Sequence, residues 1–403
     1  MESRSLKGLK KLPSADMSIE RPTSKKFSKL KLKKLKDQVI VITGASSGIG
    51  LVTARMAAKQ GAKVVAASRN EQALLQLVSE LNAQGCMSAY CVADVGKEEE
   101  VKRIAKTAID TFGGFDTWVN NAGVSIFGKT TDVKTDDMKR MFDTNFWGTV
   151  YGSKIAVEHF TQRRTPGALI NVGSLFGDRG TVVQSTYSAA KFALHSWTEN
   201  LRMELEKENA PVSITLIHPG RIDTPYNEHA MSYLEKQPSH VGMIYAPEAV
   251  AEAVLFAAAH PKRDMYVGSQ AKMIATLGRF APRVMDKWME LTMFRTQHDD
   301  RPSKSREESA LYEPGYGMHE RGTNSGRVRK RSWYVKATKR PLITVLAAAG
   351  VGASIWAVSK NRKKDSEKQV VTNSQMVSNG TFQPVPADNV KLEPVPNPGG
   401  YHL

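Results

Sequence analysis

The sequence predicts an α/β protein, a doubly wound parallel sheet with helices on both faces, and three observations carry that prediction. Val39-Ile40-Val41-Ile42 is a short uninterrupted apolar run, the pattern of a strand buried on both faces. Strand-like and helical stretches then alternate up to about Gly268, and such alternation builds right-handed βαβ units. Between the first strand and the first helix lies Thr43-Gly44-Ala45-Ser46-Ser47-Gly48-Ile49-Gly50. Glycines there allow a tight turn and close backbone approach, and the helix start offers unpaired N–H groups to a phosphate. At the front of a βαβ unit this is a dinucleotide-binding signal.

The elements follow in order. A helix over 51–60 stops at Gly61, and 63–67 is the second strand. The pattern continues with a helix at 71–84, a strand at 88–93, a helix at 101–111 and a strand at 115–119. Further strands are expected at 169–172 and 212–217, with a helix across 187–208 between them. Residues 271–296 place Met273, Ile274, Phe280, Met285, Trp288, Met289 and Met293 at helical spacing, which reads as one or two helices interrupted at Pro282. The polar, turn-rich stretch that follows reads as an extended linker.

Charge divides the chain further. The net charge is +17, but residues 1–37 hold 12 Lys/Arg against 4 Asp/Glu and residues 327–368 hold 12 against 2, leaving 33 against 34 elsewhere. A folded middle near neutrality has no basic reading face, so no nucleic-acid partner is expected. Residues 1–36 read as a basic disordered extension and 37–270 as the nucleotide-binding catalytic domain. A helical extension at 271–296 and a linker at 297–340 come next. Residues 341–359 carry no charge between basic flanks and just reach the ~20 residues that a membrane span requires. This predicts a membrane-associated chain with one C-terminal span and its catalytic domain in the cytoplasm. Residues 360–403, rich in proline, read as a disordered tail. Cys86 and Cys91 offer no metal spacing and no disulfide framework, and no metal site is expected.

The chemistry centres on Tyr187 and Lys191, four apart on an expected helix and so on one face. A phenol titrates near 10 and is a poor base at neutral pH, but a fixed positive neighbour favours the phenolate. The pair therefore suits proton transfer in carbonyl and alcohol chemistry.

The turn has the spacing Thr-Gly-x-x-x-Gly-x-Gly. Asp94, Asn120-Asn121-Ala122-Gly123, Asn145, Gly173-Ser174, Tyr187-x-x-x-Lys191 and His218-Pro219-Gly220 follow it in order. With these motifs, residues 36–268 resemble the short-chain dehydrogenase/reductase family, whose Rossmann-type fold is the one predicted above. The resemblance implies hydride transfer between a nicotinamide and a carbonyl or secondary alcohol. Tyr187 would be the general acid/base, and Lys191 would depress its pKa and bind ribose hydroxyls. Ser174 would polarise the substrate oxygen, and Asn145 would hold a water in a proton relay.

Cofactor contacts would come from Gly44, Ser46, Ser47, Gly48, Ile49 and Gly50 in the turn. Ser68, Arg69, Asp94, Val95, Asn121, Ala122, Gly123 and Thr224 would add to them, together with Tyr187 and Lys191, while Pro219 and Gly220 would wall the nicotinamide. At the end of the second strand Ser68 replaces the acidic residue of NAD enzymes and Arg69 follows, which favours NADP(H) without excluding NAD(H). Segments 124–130, 175–183 and 226–244 carry Ile126, Phe127, Phe176, Tyr226, Met231, Tyr233 and Met243, which points to an apolar carbonyl or alcohol substrate. Related enzymes pair through the helices carrying Asn145 and Tyr187, which implies a homodimer or homotetramer. The alternative is a membrane-tethered nucleotide-binding scaffold or redox sensor without turnover.

Overall fold

The computed structural model describes residues 30–324 and 327–339. A seven-stranded parallel sheet forms the centre. Its strands are β1 (Val39–Thr43), β2 (Lys63–Ser68), β3 (Ser88–Val92), β4 (Thr117–Asn120), β5 (Gly167–Val172), β6 (Val212–Pro219) and β7 (Asp264–Val267). They lie in the order β7-β6-β5-β4-β1-β2-β3, the doubly wound arrangement that the alternation predicts. The order reverses at β1, and the crevice beyond the strand ends there is where such sheets bind ligands.

Successive residues of β1 face opposite sides and both sides are buried, which is why the strand reads as an unbroken apolar run. Ile40 and Ile42 pack with the helices α1 (Gly48–Lys59), α2 (Glu71–Ala83) and α7 (Pro247–Ala259). Val39 and Val41 pack with α3 (Glu98–Phe112), α5 (Gly148–Gln162) and α6 (Ser185–Lys207). Helix α4 (Thr135–Phe142) precedes α5 through a π-helical turn at Asp143–Trp147. Helix ends follow local chemistry. Asn70 caps α2 by accepting from the Ala73 N–H at 2.9 Å, and Gly113 closes α3 with φ +79°.

Beneath the carboxyl ends of the central strands runs a buried polar chain. Trp118 Nε1 donates to Asn120 Oδ1 at 2.7 Å, Asn120 Nδ2 to Asn171 Oδ1 at 2.9 Å, and Asn171 Nδ2 to the Thr198 hydroxyl at 2.9 Å. Asn120 and Asn171 sit opposite each other in the β4–β5 register, and Thr198 lies on α6, so sheet and helix are tied at one level.

After β7, α8 (Ser269–Phe280) and α9 (Pro282–Thr296) break at Ala281, next to Pro282. The stretch beyond departs from an extended linker. His298–Pro302 pairs antiparallel with Lys236–Pro238, Leu311 is fully buried, and the chain continues back across the first βα turn. Polar, turn-rich composition is compatible with this course because the segment is held by backbone groups, such as Ser303 N–H to Glu235 O and Ala310 N–H to His229 O, and by polar side chains such as Tyr312 on Asp137 and Arg321 on Glu248.

The expected localisation is corrected. Among the described residues no helix is long and apolar enough to cross a membrane. The longest, α6 with 23 residues, carries Glu199, Arg202, Glu204 and Glu206, while the apolar α7 is 13 residues long and packed against the sheet. The segment 341–359, on which the single span and the membrane partner rested, lies outside the described residues, as do residues 1–29 and the tail at 360–403.

Candidate active site

The Gly-rich turn has the backbone its composition requires. Gly44 and Gly48 take φ of +67° and +51°, where glycine carries no steric cost. At Gly50 a Cβ would meet the Gly44 carbonyl oxygen at 2.1 Å, so α1 can pass this close only as glycine. Asn121 fastens the loop after β4 to the turn. Its Nδ2 donates to Thr43 O at 2.9 Å, and its backbone N–H donates to Thr43 Oγ1 at 3.0 Å.

The cleft under this turn gathers most of the expected cofactor residues. Gly44, Ser46, Ser47, Gly48 and Ile49 form its floor, and Ser68 and Arg69 stand at the end of β2. Asp94 and Val95 follow β3, Asn121, Ala122 and Gly123 follow β4, and Thr224 follows β6. Asp94 is held by the Gly96 N–H at 2.9 Å and by Arg140 at 2.6 Å. Arg140 lies on α4, 46 residues away in sequence, and had no motif to mark it.

An adjoining cavity is lined by Ser174, Tyr187, Lys191, Pro219 and Gly220, and shares Ile49, Asn121, Gly123, Thr224 and Tyr226 with the first. Tyr187 and Lys191 project from one face of α6. Lys191 Nζ donates to Val172 O at 2.8 Å and stands 5.9 Å from the Tyr187 ring centre. Burial pushes the Tyr187 phenol above its ordinary range, partly offset by hydrogen bonds with the Ser174 and Tyr226 hydroxyls. Burial also pulls the Lys191 ammonium down to about 8. The expected depression of Tyr187 by Lys191 is therefore corrected, because desolvation disfavours the phenolate and the ammonium is directed at a carbonyl.

Two expected residues lie outside both linings. Gly50 sits behind the turn. Asn145, fully buried in the π-helical turn, accepts from Val124 N–H at 2.8 Å and donates to Val124 O at 2.9 Å, so its amide pins the loop after β4. Tyr226, marked by the sequence only as apolar lining, brings its hydroxyl to Tyr187 and donates to Ser125 Oγ at 2.7 Å.

Behind Ser174 lies a cluster of Asp178, His195 and His218, of which the motifs included His218 alone. The Ser174 backbone N–H donates to His195 Nε2 at 3.3 Å, which leaves the proton of that ring on Nδ1, 3.3 Å from Asp178 Oδ1. The other Asp178 oxygen is 2.8 Å from His218 Nδ1, and the His218 ring stacks on Tyr266. Ligand atoms of Asp178, His195 and His218 lie within 4.8 Å of one another, and they are bonded among themselves. Burial alone would raise the Asp178 carboxyl, but hydrogen bonds from His195 and His218 outweigh it and hold the group at about 2. A carboxyl depressed in the fold stabilises it above the ordinary carboxylate range, and that stabilisation disappears as pH falls toward 2. Asp178→Asn is expected to be less stable than wild type by about 1–3 kcal/mol at pH 6, with the gap shrinking on acidification below pH 4. Urea unfolding at stepped pH measures this, and a gap unchanged down to pH 3 contradicts the assignment.

The sequence and the fold are similar to those of known oxidoreductases. The short chain dehydrogenase family model matches residues 38–234. The uncharacterized oxidoreductase YxnA of Bacillus subtilis (strain 168) is 70% identical over 334 residues, 83% of this chain and 93% of that protein. An uncharacterized oxidoreductase of Staphylococcus aureus (strain MRSA252) is 38% identical over 232 residues, 57% of this chain and 94% of that protein. The crystal structure of a short chain dehydrogenase/reductase from Burkholderia phymatum in complex with NAD shares the fold, with a TM-score of 0.57 at 24% identity over 63% of this chain and 96% of that one. Its sheet, its Gly-rich turn and a relative 70% identical across most of its length place one conclusion beyond the resemblance of motifs: the chain belongs to the short-chain dehydrogenase family.

Proposed function

We propose that the protein is a nicotinamide-dependent oxidoreductase interconverting a carbonyl and a secondary alcohol, with Tyr187 as general acid and base. The observation that supports this best is that Ser174, Tyr187 and Lys191 share one cavity continuous with the cleft under the Gly-rich turn. The residues present fit such a cofactor: the turn has the positive-φ glycines and the close passage at Gly50 that a backbone cradle needs. When bound, the cofactor supplies the hydride in reduction or takes it in oxidation.

Ser174 donates a hydrogen bond to the substrate oxygen and polarises the carbonyl. Tyr187 gives its proton to that oxygen as the carbonyl carbon gains the hydride, and takes the proton back in the reverse direction. Lys191, a cation below about pH 8, is held by the Val172 carbonyl and offers its remaining N–H groups to the ribose. Because the Asn145 amide is committed to Val124, its part in a water relay falls to its backbone carbonyl.

Leu175, Phe176, Ile222 and Tyr226 line the catalytic cavity and support an apolar substrate. Exposed Trp147, stacked on Tyr151, and exposed Phe192 support pairing of two copies through the helices that flank Asn145 and carry Tyr187. A neutral Ser68 followed by the Arg69 cation, taken by charge alone, supports NADP(H), whereas the three carbonyls bonded to Arg69 work against it. The test is carbonyl-dependent loss of reduced-nicotinamide absorbance over a panel of aldehydes and ketones. Nucleotide binding without turnover across the panel would favour a scaffold or sensor.

A further inference from the structure

We propose that residues 297–324 form a strap over the adenosine end of the cleft, that Arg69 anchors this strap instead of receiving a 2′-phosphate, and that the cleft takes NAD(H) in preference to NADP(H). The inference rests on the nicotinamide reading above and deepens it.

The strap meets Arg69 with three consecutive carbonyls. The terminal guanidinium nitrogens donate to Ala310 O at 2.5 Å, Leu311 O at 3.3 Å and Tyr312 O at 2.9 Å. This is an anchored arrangement, because the Leu311 side chain is fully buried in the apolar cluster that also holds Phe176 and Tyr187. Farther along, Gly315 O accepts from Asn70 Nδ2 at 2.9 Å. The strap then bonds to the Gly-rich turn itself: Met318 N–H donates to Ser46 O at 2.8 Å, and Gly48 N–H donates to His319 O at 2.9 Å. At Gly317 the strap passes so close to α2 that a Cβ would meet Ala73 Cβ at 2.2 Å. Arg55 bridges Glu320 at 2.7 Å and Glu80 at 2.5 Å, which fastens the far end. Ala310, Pro314 and Gly315 face the same cleft as Ser46, Ser68 and Asp94.

The chemistry of this wall discriminates between the cofactors. Carbonyl oxygens accept hydrogen bonds and donate none. A ribose 2′-hydroxyl is a donor and can satisfy such an oxygen. A 2′-phosphate brings nearly two negative charges and only acceptor oxygens, and it would compete with three carbonyls for Arg69 while lying near the Glu313 carboxylate, which also acts on that guanidinium. Enzymes that select NAD place a carboxylate after the second strand to accept from the 2′-hydroxyl. Here Ser68 stands at that place, and the strap carbonyls supply acceptors in its stead. Arg69 had suggested NADP(H) because its charge was visible in the sequence and its partners, 241 to 243 residues away, were not.

The test titrates NADH and NADPH into the full chain, followed by calorimetry and separately from any turnover assay. NADH is expected to bind at least about tenfold more tightly. Arg69→Ala is expected to weaken both nucleotides by a similar factor and to open the 297–324 segment to limited proteolysis. Glu313→Gln, a milder change on the strap, is expected to narrow the NADH/NADPH ratio by improving NADPH. Tighter binding of NADPH than NADH, with Arg69→Ala weakening NADPH alone, would overturn the strap assignment and leave the oxidoreductase reading standing. Binding of neither nucleotide would overturn both.

Discussion

Tyr187→Phe is expected to lower kcat by about 10²–10⁴-fold, the range that positioned proton transfer contributes, with little change in nucleotide affinity. The substitution removes one oxygen and keeps the ring. Its edge contact with Tyr226, with centroids 5.5 Å apart, survives, and the apolar cluster around Phe176 and Leu311 stays filled. What disappears is the hydroxyl that meets both Ser174 and Tyr226. Ser174 would still polarise a carbonyl, and no proton would be delivered to the oxygen as the hydride arrives. The measurement is kcat on the best substrate of the carbonyl panel, with circular dichroism and nucleotide titration as controls for folding. A variant that turns over within a factor of a few of wild type would remove Tyr187 from the mechanism. Tyr226 would then be the next phenol to examine, since it lines both cavities.

Gly50→Ala is expected to damage both stability and nucleotide binding. The added Cβ would stand 2.1 Å from Gly44 O, 2.7 Å from Gly44 C and 2.8 Å from Asn121 Nδ2. Two of these atoms are backbone, so no side-chain rotation relieves the contact. Either α1 moves away from the turn or the turn opens and releases Asn121 from Thr43 and Gly44. Overpacking of this kind costs about 1–3 kcal/mol and more where backbone must shift, and the displaced segment is the one that would carry the cofactor phosphates. A drop in Tm together with at least about tenfold weaker nucleotide binding is the expected result. Gly180→Ala serves as the control, because a Cβ there meets nothing within 4 Å. Equal behaviour of the two variants would show that the close passage at Gly50 does not govern the cleft.

The elements that the sequence announced are those whose side chains state their surroundings. Strand β1 shows as Val-Ile-Val-Ile because both faces of the sheet are covered, and α2 shows because Asn70 and Gly85 punctuate it. The site was legible where residue type and spacing imply geometry, as for Tyr187 and Lys191 on α6 or the glycines of the first turn. It was not legible where long-range partners decide the role. Arg140 reaches Asp94 from another helix, and Asp178 joins two histidines from α6 and β6. The strap was least visible of all, since its grip on Arg69, Ser46 and Gly48 is made by backbone groups. Every residue carries a carbonyl and all but proline an N–H, so no composition or periodicity distinguishes a held strand of loop from a free one. Lys191 shows the same limit in energetic form: spacing placed it beside Tyr187, whereas burial, which spacing cannot express, set the direction of both pKa shifts.

The chain of buried amides from Trp118 through Asn120 and Asn171 to Thr198 has a consequence for how this enzyme reaches its working form. Apolar strands such as β4 and β5 slide past one another at small cost, because valine beside isoleucine resembles isoleucine beside valine. A slip of one residue here would separate Asn120 from Asn171 and strand both amides in a dry interior, at about 1–3 kcal/mol for each unpaired group. The pair therefore works as an indexing pin during folding, rejecting near-miss alignments that hydrophobic burial alone would tolerate. Ser174 follows Asn171 by three residues, and Tyr187 and Lys191 share a helix with Thr198. Proofreading of the sheet and assembly of the cavity lining are thus the same event, and a chain that has found its register has already brought Tyr187 to Ser174.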